Sequence, residues 1–128
     1  MDRISKPPID QYRQLVSSCA QAYSRKATAA RRTRIISSLD HLEMCAVKYD
    51  ERATIGSLND IPEHDVCGVA LKDDMVDLYV AKFVPEDQPG RSTYAAIRQS
   101  AYRGRCALCS QLPATTVDHY LPKSKFPA

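Results

Sequence analysis

Along most of this chain apolar residues return every three or four positions, the period of a helix that buries one stripe and wets the rest. Tyr12, Leu15, Val16, Cys19, Ala22 and Tyr23 form the first series, and Pro7, Pro8 and Asp10 ahead of it supply a helix start. The second series is longer. From about Thr28 to Ala53 it places Ile35, Leu39, Leu42, Cys45, Ala46 and Tyr49 on one stripe, with Arg31, Arg32, Arg34 and Lys48 on other faces or at the ends, and this predicts one continuous helix. Gly56 to Pro62 gathers Gly, Ser, Asn, Asp and Pro, which is turn chemistry.

Beyond that turn the pattern weakens and then returns. Val66 to Leu71 reads as a short strand or a buried turn. Asp73 and Asp74 suit the first turn of a helix, where negative charge meets the positive end of the dipole, and Met75, Leu78, Tyr79, Lys82 and Phe83 follow at helical spacing until Pro85. Gln88-Pro89-Gly90 is a turn, and Ser92 is the expected cap of a last short helix through Ala95, Ile97, Arg98 and Tyr102. Four helices are expected in all. The fold class is therefore mainly α: a helical scaffold over residues 1–103, followed by a tail, 104–128, of different chemistry.

Composition adds limits. With 128 residues, 44% of them hydrophobic and 26% charged, the chain suits one small core. No apolar run is long enough for a membrane span, and the opening MDRISKPPID has no hydrophobic stretch after its charges, so a cytoplasmic protein without a membrane partner is expected. Five cysteines, three of them isolated at 19, 45 and 67, point to a reducing compartment. The net charge of +3 hides three blocks: eight Lys/Arg against two acids in residues 1–34, four against twelve in 35–90, and six against one in 91–128. Basic ends suit a phosphate backbone; the acidic middle suits a protein partner or plain solvent.

The tail carries the chemistry. Cys106 and Cys109, just after Gly104, have the two-residue gap that lets two thiolates reach one tetrahedral ion, which is half of a zinc site. The same spacing also fits two small buried hydrophobes or a redox pair. Thr115, Thr116 and Val117 are strand formers, so Asp118 and His119 fall at a strand exit before Pro122. There a carboxylate can bind a divalent cation, Mg²⁺ or Mn²⁺, while an imidazole takes a proton from water.

The run Gly104-Arg-Cys-Ala-Leu-Cys, and then Val117-Asp-His-Tyr-Leu-Pro-Lys-Ser-Lys-Phe-Pro, resembles the first half of the bacterial HNH endonuclease motif. The resemblance spans about 25 residues. It implies a zinc knuckle and the first, β half of a ββα-metal unit, with Cys106 and Cys109 as the first structural zinc pair. It further implies Asp118 as ligand of the catalytic divalent ion and His119 as general base, with Pro122, Lys123 and Ser124 shaping the loop that follows. Lys123, Lys125, Arg105 and Arg103 would then meet nucleic acid, DNA before RNA. The helical stretch ahead, Lys72-Asp-Asp-Met-Val-Asp-Leu-Tyr and Pro89-Gly-Arg-Ser-Thr-Tyr, is similar to HNH subunits that accompany an ATPase in Septu-type anti-phage systems, which implies a defence-system ATPase as protein partner.

Family members continue with a second Cys pair and a helix bearing further Asn and His positions, whereas this sequence ends at Ala128. By that resemblance 104–128 is a truncated half motif, inactive alone, and either the gene product is longer or a truncated homologue serves another role. Two functions follow: a nuclease, or a helical adaptor whose tail is not catalytic. Outside the motif, His41 reads as a surface or boundary residue and His64 as part of a polar loop with little metal affinity. Arg31, Arg32 and Arg34 fit nucleic-acid phosphates and a solvated helix face equally well.

Overall fold

A computed structural model describes residues 9–64, 66–100, 102–105, 111–113 and 115. The fold is mainly α. Helix α1 is Ile9–Gln21, α2 is Ala29–Ser37 and α3 is Leu39–Thr54; a hairpin of β1 (Val66–Cys67) and β2 (Ala70–Leu71) comes next, then α4 (Lys72–Leu78) and α5 (Arg91–Gln99). Helix α1 packs on α2 and α3, β2 lies on α2, and α4 runs from β2 back against α2. The core forms where these elements meet. Val16, Cys19 and Ala20 of α1, Tyr23 just beyond it, Ile35, Leu42, Cys67, Ala70, Met75 and Leu78 are buried there, with Tyr12, Leu15 and Leu39 packed around them. Each large aliphatic side chain so buried contributes about 1.5–3 kcal/mol.

The helix expected from Thr28 to Ala53 is two helices, divided at Ser38 (φ −100°, ψ 3°). The hydroxyl explains the break. Ser38 Oγ donates to the Arg34 carbonyl at 2.7 Å and accepts from the amides of Val69 at 3.0 Å and Ala70 at 2.9 Å. One donor and two acceptor lone pairs are thus all used, and a serine bonded back to the preceding turn bends its helix. The expected stripe survives the bend as Ile35 and Leu42, but it does not reach Tyr49, which is 41% exposed. Residues 51–54 at the end of α3 are exposed as well.

The Val66–Leu71 stretch is the hairpin, with Val66 opposite Leu71 and Cys67 opposite Ala70. Its two-residue turn places Gly68 at φ +69°, and a Cβ there would lie 3.1 Å from Ser38 Oγ and 3.3 Å from His41 Cβ. Conformation and space both select glycine. Cys67 and Ala70 point inward; Val66 and Leu71 face solvent.

After α4 the helix widens into a π turn, Tyr79–Phe83, closed by Val84 N–H on the Tyr79 carbonyl at 3.1 Å. Helix α5 then starts at Arg91 with Gly90 as its amino-terminal cap, in place of the expected Ser92. The reason is contact. Gly90 lies so close to Phe83 that a Cβ would sit 2.5 Å from the Phe83 Cα, and its amide bonds the Lys82 carbonyl at 3.1 Å. Among the described residues no helix is long and apolar enough to cross a membrane.

Candidate functional site

Cys106, Cys109, Asp118, His119, Lys123 and Lys125 lie outside the described residues, as do Pro122 and Ser124. Arg103 and Arg105 are described and exposed, on the segment that leads into the cysteine pair. There a short 3₁₀ turn, Tyr102–Gly104, places Arg103 at φ 53° and Gly104 at φ +68°. Two successive left-handed residues turn the chain sharply, at a conformational cost of about 1–2 kcal/mol for the arginine. Directly after them Arg105 forms an antiparallel bridge with Pro113. The two ends of the stretch that holds Cys106 and Cys109 are therefore side by side.

A second constellation lies between α2 and α4, where sequence reasoning saw only a charge run. The Asp74 side chain, 1% exposed, receives Arg34 Nε at 2.7 Å, a second Arg34 nitrogen at 2.7 Å and Arg31 Nε at 3.1 Å. It also accepts the Leu71 amide at 2.9 Å, which caps the start of α4. Burial raises the carboxyl pKa, but the Arg34 bonds, the Leu71 amide and Arg31 outweigh it and hold the group at about 2. Arg31 also reaches Asp77 at 2.9 Å, and Asp77 accepts the Tyr23 hydroxyl at 2.6 Å. The signal was present in the spacing: two arginines three apart meet two aspartates three apart, each pair on one helix face. Neither expectation for the Arg31–Arg34 run holds for these two residues. They are counter-ions of a buried carboxylate.

Arg32, between them, points elsewhere. It is exposed and donates to the Tyr23 carbonyl at 3.4 Å, while Lys82 stands 5.0 Å from the centroid of the Tyr23 ring. Arg25 and Lys26, two and three residues after Tyr23, are exposed. None of these four cations forms a salt bridge among the described residues, unlike Arg13 with Asp40 and Glu43, Arg52 with Asp60 and Arg91 with Glu86.

The thiols inside the body are poor nucleophiles. Burial pushes Cys19 up to about 11 and Cys67 up to about 12, and raises Cys45 as well, so all three stay protonated near neutral pH. Cys45 Sγ lies 3.5 Å from His41 Nε2, one helical turn away, and His64 approaches the Pro62 carbonyl at 3.4 Å. Among the described residues no group of three His, Cys, Asp or Glu side chains is placed to hold a metal ion.

No protein-family model matches the chain, and no curated protein or solved structure matches it either.

Proposed function

We propose that this chain belongs to a metal-dependent endonuclease of the HNH type that hydrolyses phosphodiesters of nucleic acid, DNA before RNA, and acts as the nuclease subunit of a cytoplasmic anti-phage complex with an ATPase partner. The reading rests on the residue run from Gly104 to Cys109 and from Val117 to Pro127. One structural observation supports it most: the Arg105–Pro113 bridge, reached through the left-handed Arg103-Gly104 turn, brings together the ends of the Cys-x-x-Cys stretch. A knuckle that offers two thiolates to one ion needs that reversal.

In this reading Cys106 and Cys109 hold a structural Zn²⁺, and Asp118 holds a catalytic Mg²⁺ or Mn²⁺. When bound, the catalytic ion supplies positive charge at the phosphate under attack. The chain's own groups do the rest. His119 takes the proton from the attacking water, because near neutral pH water is a weak nucleophile without a base. Arg103, Arg105, Lys123 and Lys125 neutralise the backbone on either side of the scissile bond. A helical adaptor is the second reading, favoured by one feature: every buried core side chain among the described residues falls between Val16 and Tyr94.

The test is cleavage by the protein expressed from its complete reading frame, with Mg²⁺ or Mn²⁺ and any ATPase partner, on plasmid DNA and on RNA. His119→Ala is expected to abolish cutting with structural zinc retained. Asp118→Ala is expected to lose it in a way that added divalent ion partly restores. His41→Ala and His64→Ala are expected to cut normally. Undiminished cutting by His119→Ala would overturn His119 as the base and with it the HNH assignment, whereas a complete wild-type protein that cuts neither substrate would leave the adaptor.

A further inference from the structure

We infer that the corner between α1 and α2 is a nucleic-acid backbone surface, built by Arg25, Lys26, Arg32 and Lys82, none of which belongs to residues 104–128. These cations gather around one buried residue. Tyr23 is 4% exposed, its carbonyl receives Arg32, its ring faces Lys82, and Arg25 and Lys26 follow it directly in the chain. The sequence holds no acid between Asp10 and Asp40, so the nearby chain offers no counter-charge. Two of the three acids of α4 are already engaged: Asp74 takes Arg31 and Arg34, and Asp77 takes Arg31 and the Tyr23 hydroxyl, while Asp73 is exposed and pairs with none of these four cations. Two groups of cations thus share one stretch. One is neutralised inside the fold, and the other keeps its charge at the surface.

The chemistry selects the partner. Two guanidinium forks and two ammonium groups suit phosphate oxygens, which arginine binds in pairs and lysine as a point charge. The four are spread over an exposed loop, the face of α2 and the π turn, an arrangement that follows a chain of charges better than a single small anion. Residues 21–32 expose no large hydrophobic residue, and the exposed apolar side chains nearest the cations, Ile36 on α2 and Val80 in the π turn, stand singly, where a membrane-surface helix would carry a continuous apolar face. The inference extends the nucleic-acid reading to a second surface; binding and cleavage are measured separately, so that either can fail alone.

The experiment is fluorescence anisotropy of labelled duplex DNA and single-stranded RNA with the wild-type chain and with Arg25→Gln/Lys26→Gln/Arg32→Gln, over a range of salt. The triple variant is expected to bind at least about tenfold more weakly at low salt. The slope of log K against log salt on duplex should fall by roughly 0.9 for each contact removed. Arg32 touches the Tyr23 carbonyl, so Arg25→Gln/Lys26→Gln is measured beside it and should show a partial loss even if the triple variant fails to fold. Unchanged affinity and slope in both variants would overturn the inference. So would a wild-type chain that ignores nucleic acid yet binds phosphatidylserine vesicles, or one from which polyglutamate displaces DNA charge for charge. Loss of binding in the triple variant together with no cleavage by the complete wild-type protein would leave this surface standing and remove the nuclease.

Discussion

Arg31 and Arg34 on one side, and Arg25, Lys26 and Arg32 on the other, come from a single run of ten residues without an acid, yet they have opposite fates. The first two close on Asp74, a carboxylate that is 1% exposed and would be costly to bury alone. The other three find no acid among the described residues and stay at the surface. What separates them is helical phase. Positions 31 and 34 share the face of α2 that meets α4, whereas 32 points away and 25 and 26 precede the helix. The net charge of a sequence block is thus a poor guide to the charge of a surface. Part of the basic first block and part of the acidic middle cancel within the molecule's own contacts, at the surface through Arg13 with Asp40 and Glu43 and in the interior through Asp74.

The largest test of this contrast removes the shared carboxylate. Asp74→Ala leaves Arg34 without a counter-ion, Arg31 with Asp77 alone, and the Leu71 amide without its acceptor. A destabilisation of about 3–5 kcal/mol is expected by urea unfolding, a large share of the stability of a small domain. Asp74 also sets an acid limit. Its pKa falls from 3.8 to about 2 on folding, so the unfolded chain takes the proton first as pH drops. The stability it gives is complete above about pH 4–5 and is lost as pH falls towards 2. Melting curves across that window should be flatter for Asp74→Asn than for wild type; equal slopes would show that other carboxylates govern acid unfolding.

How far the sequence revealed this can be read from particular residues. The helical periods placed α1 and α4 because each buries one stripe, and Asp74 was correctly expected in the first turn of a helix; α5 was expected as a helix, but it buries Tyr94 and leaves Ile97 of the expected series exposed. The division of the long helix was not legible, since Ser38 acts through amides more than 30 residues away, and no local pattern announces such a partner. The same holds for Gly90, whose place is fixed by the Phe83 backbone rather than by cap preference. The network at Asp74 was legible only as matched spacings on two helices. The Cys-x-x-Cys and Asp-His groups were legible as chemistry, but their positions fall outside the described residues.

A smaller effect is expected at the bend that brings the two helices into phase. Ser38→Ala removes the acceptor of the Val69 and Ala70 amides, and Ala70 is fully buried. About 1–3 kcal/mol should be lost, with the unmet amides as the main cost. Because the hairpin leads directly into α4, hydrogen exchange should quicken at Val69, Ala70 and Leu71 together. Faster exchange at Val69 and Ala70 with Leu71 unchanged would mean that Asp74 holds α4 in place without help from the hairpin.

The smallest expected effect is also the sharpest on the comparison. Arg25→Gln/Lys26→Gln removes two charges from the same basic run, and neither side chain forms a hydrogen bond or salt bridge among the described residues. Surface substitutions of this kind usually change stability by no more than about 0.5 kcal/mol. Removing two like charges that sit near Arg31 and Arg32 relieves repulsion, so the sign should be neutral to slightly stabilising, and the gain should shrink as salt rises and screens it. Thermal melts at low and high salt measure both. A loss beyond about 1 kcal/mol would show that Arg25 or Lys26 is fastened to the fold as Arg31 and Arg34 are, and the distinction between internal and surface cations would then disappear at that corner.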